Sequence, residues 1–360
     1  MPDEPIMPRV EIRPMTPDEK PAVRRIAHRA FPVLARLFFS WGQTVLVALS
    51  EGRLVGGIVL ETFALADGRK VGFVGWVFSD PDARGIGVGQ RLIEAALAHF
   101  QAVGCHEVLA GVEGHNSSSS KLFATRGFSI LPLGAQWQRY RWQLPKVWWR
   151  TLHVVDVGHF LWSRPPAADE GHPVTQWWVT LLVNVLMAWI ALRAWVVAGW
   201  FASVLAAGAV LVLLTLRWAG MRLAARAQGL EVRYRAWESG FPLSLMIALA
   251  LRGVYPVPGS LYPVGHDWRY REMVPQLGRM ALAGVIGPLA LLWLAKALAS
   301  CFPVAQALPS LYAVGFPLLV VDVLTPFFPL ACYNGRRIWD WSRPLWAVLA
   351  AAVVALIVLA

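Results

Sequence analysis

Asp80-Pro81-Asp82-Ala83-Arg84-Gly85-Ile86-Gly87-Val88-Gly89 joins two stretches of different period. Before it, Val71–Phe78 is rich in β-branched and aromatic residues and reads as a strand. After it, Gln90–Ala102 places Leu92, Ile93, Ala96, Leu97 and Phe100 on one side of a helix. Three glycines at alternate positions of such a junction let the backbone approach a ligand closely. The amides of the helix start point outward, and such a place binds phosphate. Spacing alone fits a glycine-rich turn that binds nothing equally well. A dinucleotide-binding fold would need parallel strands and an acidic residue about 20 residues on. The strands that precede the loop argue against it.

Outward from the loop, Val10–Arg13, Thr44–Ser50, Leu54–Leu65 and Val71–Phe78 predict an antiparallel meander with glycine-bearing connections. Thr16 with Glu19 three residues on is a capping box, so the stretch 17–40 reads as one or two helices. Downstream, Glu107–Val112 predicts a strand and Asn116–Arg126 a helix. Phe128–Leu131 and Gln136–Gln143 predict closing strands.

The run Val77 to Leu92, with Arg84-x-x-Gly87-x-Gly89 inside it, resembles the central acyl-CoA motif of the GNAT N-acetyltransferases. Asn116 to Phe128, with its serine tract and Leu122-Phe123 and Gly127-Phe128 pairs, resembles that family's second helix motif. The resemblance covers about residues 9–143. It implies an α/β fold, a GNAT-like mixed sheet with flanking helices, and acetyl-CoA (acyl-CoA) as co-substrate. It further implies that amides of Arg84, Gly85, Ile86, Gly87, Val88 and Gly89 hold the pyrophosphate. The backbone of Val77, Phe78 and Ser79 would pair with the pantetheine arm, and Asn116 would bind the cofactor near its helix start. Phe123 stands where members often carry a tyrosine that protonates the leaving thiolate, and phenylalanine cannot donate a proton. Strand 71–78 lacks the carboxylate that some members use as base. Glu113 and His115 are the catalytic candidates, with Glu61 or water behind them.

Composition sets the second half apart. The 360 residues are 57% hydrophobic and only 15% charged, against about 45–50% and 25% for soluble chains. Of 19 tryptophans, all but Trp41 and Trp76 lie at or after Trp137, as at a membrane–water interface. The net charge of +11 is mostly arginine beside apolar segments. That fits lipid head groups and topology control and gives no reason to expect nucleic acid. Cys105, Cys301 and Cys332 form no zinc spacing and no disulfide framework.

The chain therefore divides into 1–145, an acyl-CoA-binding domain; 146–175, an interfacial linker; and 176–360, an all-α polytopic membrane domain of about five transmembrane helices. Two spans are expected within Trp177–Leu216, joined near Arg193–Gly199. Pro275–Ala299, Pro309–Leu324 and Leu345–Ala360 supply the rest, and Phe241–Leu251 is too short to cross. Arg217, Arg222, Arg226, Arg233, Arg235, Arg269 and Arg271 fall between the second and third spans, and Arg336, Arg337 and Arg343 between the last two. By the positive-inside rule the N-terminal domain lies in the cytoplasm and the C-terminus outside a prokaryotic-type inner membrane.

Gly229–Gly240, Pro258–Tyr262, Ala281–Gly284 with Gly287-Pro288, and Pro326–Leu330 with Asn334–Arg337 resemble, in that order, prokaryotic site-2 proteases. That family's zinc helix carries two histidines four apart with a glutamate between. Here the corresponding stretch is Arg217-Trp218-Ala219-Gly220-Met221, and the later Asp-Gly appears as Asn334-Gly335. The expectation is a protease scaffold with no metal. Asp322, in an apolar run, is costly there and implies a function or a partner such as Lys296, backbone or water. Three readings follow. The first is a membrane-anchored N-acyltransferase that acts on an amine acceptor. The second is an acyl-CoA sensor without turnover, and the third an intramembrane zinc protease, disfavoured by its missing ligands.

Overall fold

β-Branched runs joined by short glycine turns build the first part of the chain. The structure, a computed structural model, describes residues 10–83, 85–192, 200–301, 308–327 and 330–359. The meander comprises β1 (Val10–Pro14), β2 (Thr44–Ser50), β3 (Arg53–Ala64) and β4 (Lys70–Ser79). Neighbours pair antiparallel, and Ser50 faces Arg53 across the β2–β3 hairpin. Both turn residues there, Glu51 and Gly52, have positive φ (52° and 76°), which matches the right-handed twist of the strands. Between β1 and β2 lies α1 (Lys20–Ala30), which buries Val23, Ile26 and Ala27 against Val45, Val47, Val59 and Phe78. The capping box before it is formed. Glu19 binds Arg13 and the Thr16 amide, and these bonds hold its carboxyl down to about 2.

After β4, α2 (Val88–Ala102) crosses over to β5 (Glu107–Glu113), which lies parallel to β4. Phe100 of α2 fills the space over Gly72, where a Cβ would stand only 2.5 Å from its ring. α3 (Ser117–Ala124), β6 (Ser129–Ile130), α4 (Leu133–Tyr140), α5 (Leu144–Arg150) and β7 (His159–Arg164) follow. The sheet has seven strands in the order β1-β2-β3-β4-β5-β7-β6.

Two expectations change here. Gln136–Gln143 is no strand: it falls in α4 and a short 3₁₀ turn. The residues it buries are Gln136 and Tyr140, four apart, as a helix requires. The Gln136 amide donates to Leu131 O (2.7 Å) and accepts from Trp148 Nε1 (2.6 Å), so a polar side chain occupies the core satisfied. The closing strand is β7, within the stretch read from sequence as interfacial. It pairs antiparallel with β6 and buries Phe160 to Ser163.

The chain forms two compact units. The first is Met1–Val112, Ser118–Leu152 and Leu161–Glu170; the second is Glu113–Ser117, His153–Phe160 and Gly171–Ala360. The second unit is helical. α6 (Pro173–Ala191), α7 (Trp200–Ala227), α8 (Phe241–Leu251) and α9 (Tyr270–Cys301) are followed by α10 (Leu308–Leu319) and a π-helical turn at Val320–Leu324. α11 (Asn334–Trp341) and α12 (Arg343–Leu359) end it. β8 (Val232–Arg235) and β9 (Ser260–Pro263) pair antiparallel. Leu213, Leu214, Val285, Leu292, Val314, Leu318 and Val353 form its main core. Gly220 of α7 faces the Ala283 carbonyl of α9 so closely that a Cβ has no room.

Among the described residues, three helices are long and apolar enough to cross a membrane: Pro173–Ala191, Trp200–Ala227 and Tyr270–Ala299. The expected fourth and fifth spans are helical but shorter, at Pro309–Leu324 and Arg343–Leu359. Pro317 lies inside α10, and the π turn follows it. The expected junction near Arg193–Gly199 lies outside the described residues.

Candidate functional site

The glycine loop follows a strand that loses one partner. β4 pairs with β3 to its end, Gly56 facing Ser79. With β5 it pairs only through Val71–Val74, against Glu107–Ala110. The β3–β4 register slips where Leu60 faces Val74 and Val59 faces Trp76, leaving Gly75 as the extra residue of a bulge. A bulge bends its strand and ends pairing. Val77, Phe78 and Ser79 therefore lie beyond the last β4–β5 pair, with one backbone edge of β4 turned to the gap.

The loop that follows is tied at its base. Asp80 N donates to Val55 O (2.8 Å), and the buried Asp80 carboxylate accepts from the Asp82 amide and from Arg29. Arg29 also reaches Asp82 at 2.7 Å. Gly85 (φ 92°) and Gly87 (φ 80°) sit in the left-handed region, and Gly87 is the N-cap residue of α2. No atom lies within 4 Å of a Cβ placed on Gly85, and only Gln90 Oε1, at 3.8 Å, meets one on Gly87. The first amides of α2 have no intrahelical acceptor and face the positive end of the helix dipole. The turn through Gly85 and Gly87 thus leaves open space beside the start of α2, where the expected phosphate-binding residues Gly85, Ile86, Gly87, Val88 and Gly89 follow one another. Arg84 lies outside the described residues.

The other candidates are placed as follows. Phe123 is buried (4% exposed), edge-on to Phe128 at 5.1 Å between ring centroids. Glu61 lies 3.7 Å from Arg150. Glu113 is half-buried and Asn116 exposed, and the Asn116 amide donates to Glu113 O (2.9 Å). His115 is buried among aromatic rings, those of Tyr262 and Tyr270 lying 4.9 and 5.6 Å away. Its Nε2 accepts from Arg337 Nε at 2.9 Å, while Arg337 also donates to Ser260 Oγ at 2.7 Å. Burial and the Arg337 charge push the imidazole well below its usual value. Its Nε2 lone pair is engaged by Arg337.

Asp322 has the partner that its burial demands, though not Lys296. Arg217 grips it with two bonds, Nε to Oδ2 and Nη2 to Oδ1, both 2.9 Å. Asn334 adds its side-chain amide (2.9 Å) and its backbone N–H (3.2 Å), and Arg217 Nη1 donates to Gly259 O (3.0 Å). Arg217, read as a loop charge, is thus a buried residue of α7 (2% exposed). Among the described residues no group of three His, Cys, Asp or Glu side chains could hold a metal ion.

Residues 11–128 match the family described as "Acetyltransferase (GNAT) family". These residues carry a GNAT acetyltransferase domain. A mycothiol acetyltransferase of Geodermatophilus obscurus is 37% identical to this chain over 62 residues, 17% of this chain and 20% of that one. Its counterpart from Propionibacterium freudenreichii is 33% identical over 87 residues, 24% of this chain and 28% of that one. The matches thus span only 20% and 28% of the length of these relatives. A Methanocaldococcus jannaschii protein described as a candidate zinc metalloprotease is 24% identical over 133 residues, 37% of this chain and 68% of that one. Among solved structures, N-acetylglutamate synthase from Neisseria gonorrhoeae complexed with coenzyme A and N-acetylglutamate is 19% identical. It covers 43% of this chain and 35% of that one, with a TM-score of 0.32. In the GNAT domain the end of β4, the tied loop and the glycine-capped α2 are consecutive in sequence, which is why one motif could announce them.

Proposed function

We propose that the GNAT domain transfers an acetyl group from CoA to an amine at the cytoplasmic face of a membrane in which the helical unit is anchored. The observation that carries this is the open amide cradle of Gly85 to Gly89, directly after a β4 edge freed from β5. Acetyl-CoA supplies a thioester whose carbonyl carbon an amine can attack. The cradle holds its pyrophosphate, with Arg84 and Asn116 as further contacts. The free edge of Val77–Ser79 pairs with the pantetheine amides, which fixes the thioester and lowers the entropic cost of attack. In the exchange the C–N bond forms, the C–S bond breaks, and the amine's proton goes to a base while the thiolate gains one. Arg337 occupies the basic nitrogen of His115, which leaves Glu113, or water, as the base. Phe123 offers no proton, so the thiolate takes its proton from water.

The helical unit serves as anchor and metal-free scaffold. Supporting this, Arg217, from the stretch that stands where the protease family has its zinc helix, meets Asn334 from the later motif at Asp322. A carboxylate saturated by a guanidinium and an amide has little left to offer a metal. The second reading, acyl-CoA sensing without turnover, is favoured by Phe123. Purified full chain given acetyl-CoA and a panel of primary amines, with released thiol measured, separates the two. Amine-dependent thiol release supports transfer. Tight acetyl-CoA binding with no release above the solution rate supports sensing and overturns transfer.

A further inference from the structure

α1 buries one stripe against the sheet and turns a strongly basic face outward. Lys20, Arg24, Arg25, His28 and Arg29, with Trp41, line an open cleft of about 710 Å³. The counter-charges nearby are few. Glu19 is bound to Arg13, and Asp80 and Asp82 to Arg29. Asp18 is the remaining acid of this segment, and it is exposed. No carboxylate among the described residues pairs with Lys20, Arg24 or Arg25, and Lys20 Nζ rests 5.1 Å from the Trp41 ring centroid. Immediately after the helix, Val33, Leu34, Leu37 and Phe38 are 69%, 41%, 78% and 51% exposed.

Each half of this surface asks for something different. Clustered cations at a concave site favour phosphate, whereas four neighbouring apolar side chains favour leaving water. A soluble phosphate would satisfy the cations and leave the apolar residues wet, and so would a nucleic-acid backbone. An anionic bilayer satisfies both, with charged head groups above an acyl boundary. The described residues of the same chain also include three helices long and apolar enough to cross a bilayer, which would keep one close at hand. We propose that this face of the GNAT domain docks on an anionic lipid surface. Head-group phosphates occupy the cleft of Lys20, Arg24 and Arg25, and Val33, Leu34, Leu37 and Phe38 reach the acyl boundary. The proposal stands apart from acyl transfer, since docking needs no turnover.

The test uses the full chain in lipid nanodiscs. Leu37→Cys, in a Cys105→Ser, Cys301→Ser background, carries a fluorophore, and the discs contain brominated acyl chains as quencher. Discs with about a third phosphatidylglycerol should quench several-fold more than pure phosphatidylcholine discs. Arg24→Glu with Arg25→Glu should remove that difference, by roughly fivefold per charge lost, while acetyl-CoA binding in the same preparation stays intact. Equal quenching in both kinds of disc, or none in either, overturns the proposal. So does a label response to inorganic phosphate or to single-stranded DNA in phosphatidylcholine discs that matches the response to anionic lipid.

Discussion

Asp322 and Arg217 are 105 residues apart in sequence and joined by two charge-assisted bonds in an apolar unit. Breaking such a pair strands a charge where water cannot reach it. Asp322→Ala should therefore cost about 3–5 kcal/mol in denaturant unfolding of the detergent-solubilised protein. Arg217→Met combined with Asp322→Leu should restore most of the loss, because apolar residues of similar volume replace both charges. If the double variant is no better than the single one, the pair is more than a structural latch. His115 makes a pH prediction. Its pKa is lowered on folding by burial and by Arg337, so the unfolded state binds more protons below the imidazole's ordinary value of 6.5. Its contribution to stability is complete above that value. It falls as the pH drops below it, by up to about 1.4 kcal/mol per pH unit. In His115→Gln that slope should vanish from unfolding curves taken between roughly pH 5 and 7. A slope unchanged by the substitution would exclude a neutral, Arg337-bound ring.

At the scale of elements, α7 and α9 approach through Gly220, which has no room for a Cβ against the Ala283 carbonyl. Gly220→Val should push the helices apart and lower stability by about 1–3 kcal/mol. Unfolding of the variant at the wild-type denaturant midpoint would contradict that contact. Elements were legible where the sequence changed period sharply. β4, the loop and α2 could be read because a β-branched and aromatic run gives way to a helical repeat across three glycines. α4 was misread because its buried residues include Gln136, which hydrophobic patterning treats as surface. β7 was missed because its tryptophan and histidine resembled an interfacial segment, when Trp162 is buried in the sheet and barely exposed (1%). The bulge at Gly75 left no signal beyond a glycine inside a strand. Arg217 was assigned to a loop because nothing local announces a partner as distant as Asp322. The basic face of α1 is plain in the sequence as Arg24-Arg25 and His28-Arg29, but its cleft depends on Trp41 folding back beside Lys20.

For the whole molecule, two chemistries share one chain. One part carries a GNAT acetyltransferase domain, and the other offers helices long and apolar enough to cross a bilayer. The central claim is that the glycine loop binds acetyl-CoA, and calorimetric titration of acetyl-CoA into the full chain and into Gly87→Val tests it most directly. Gly87 has open space but a φ of 80°. A β-branched residue there must move the backbone, at a cost of about 1–3 kcal/mol, and so reshape the amide cradle. The account predicts saturable one-to-one binding to the wild-type chain and affinity at least about tenfold weaker in the variant, with the unfolding of the helical unit unchanged. Equal affinity in both proteins, or no binding to the wild-type chain, would contradict it.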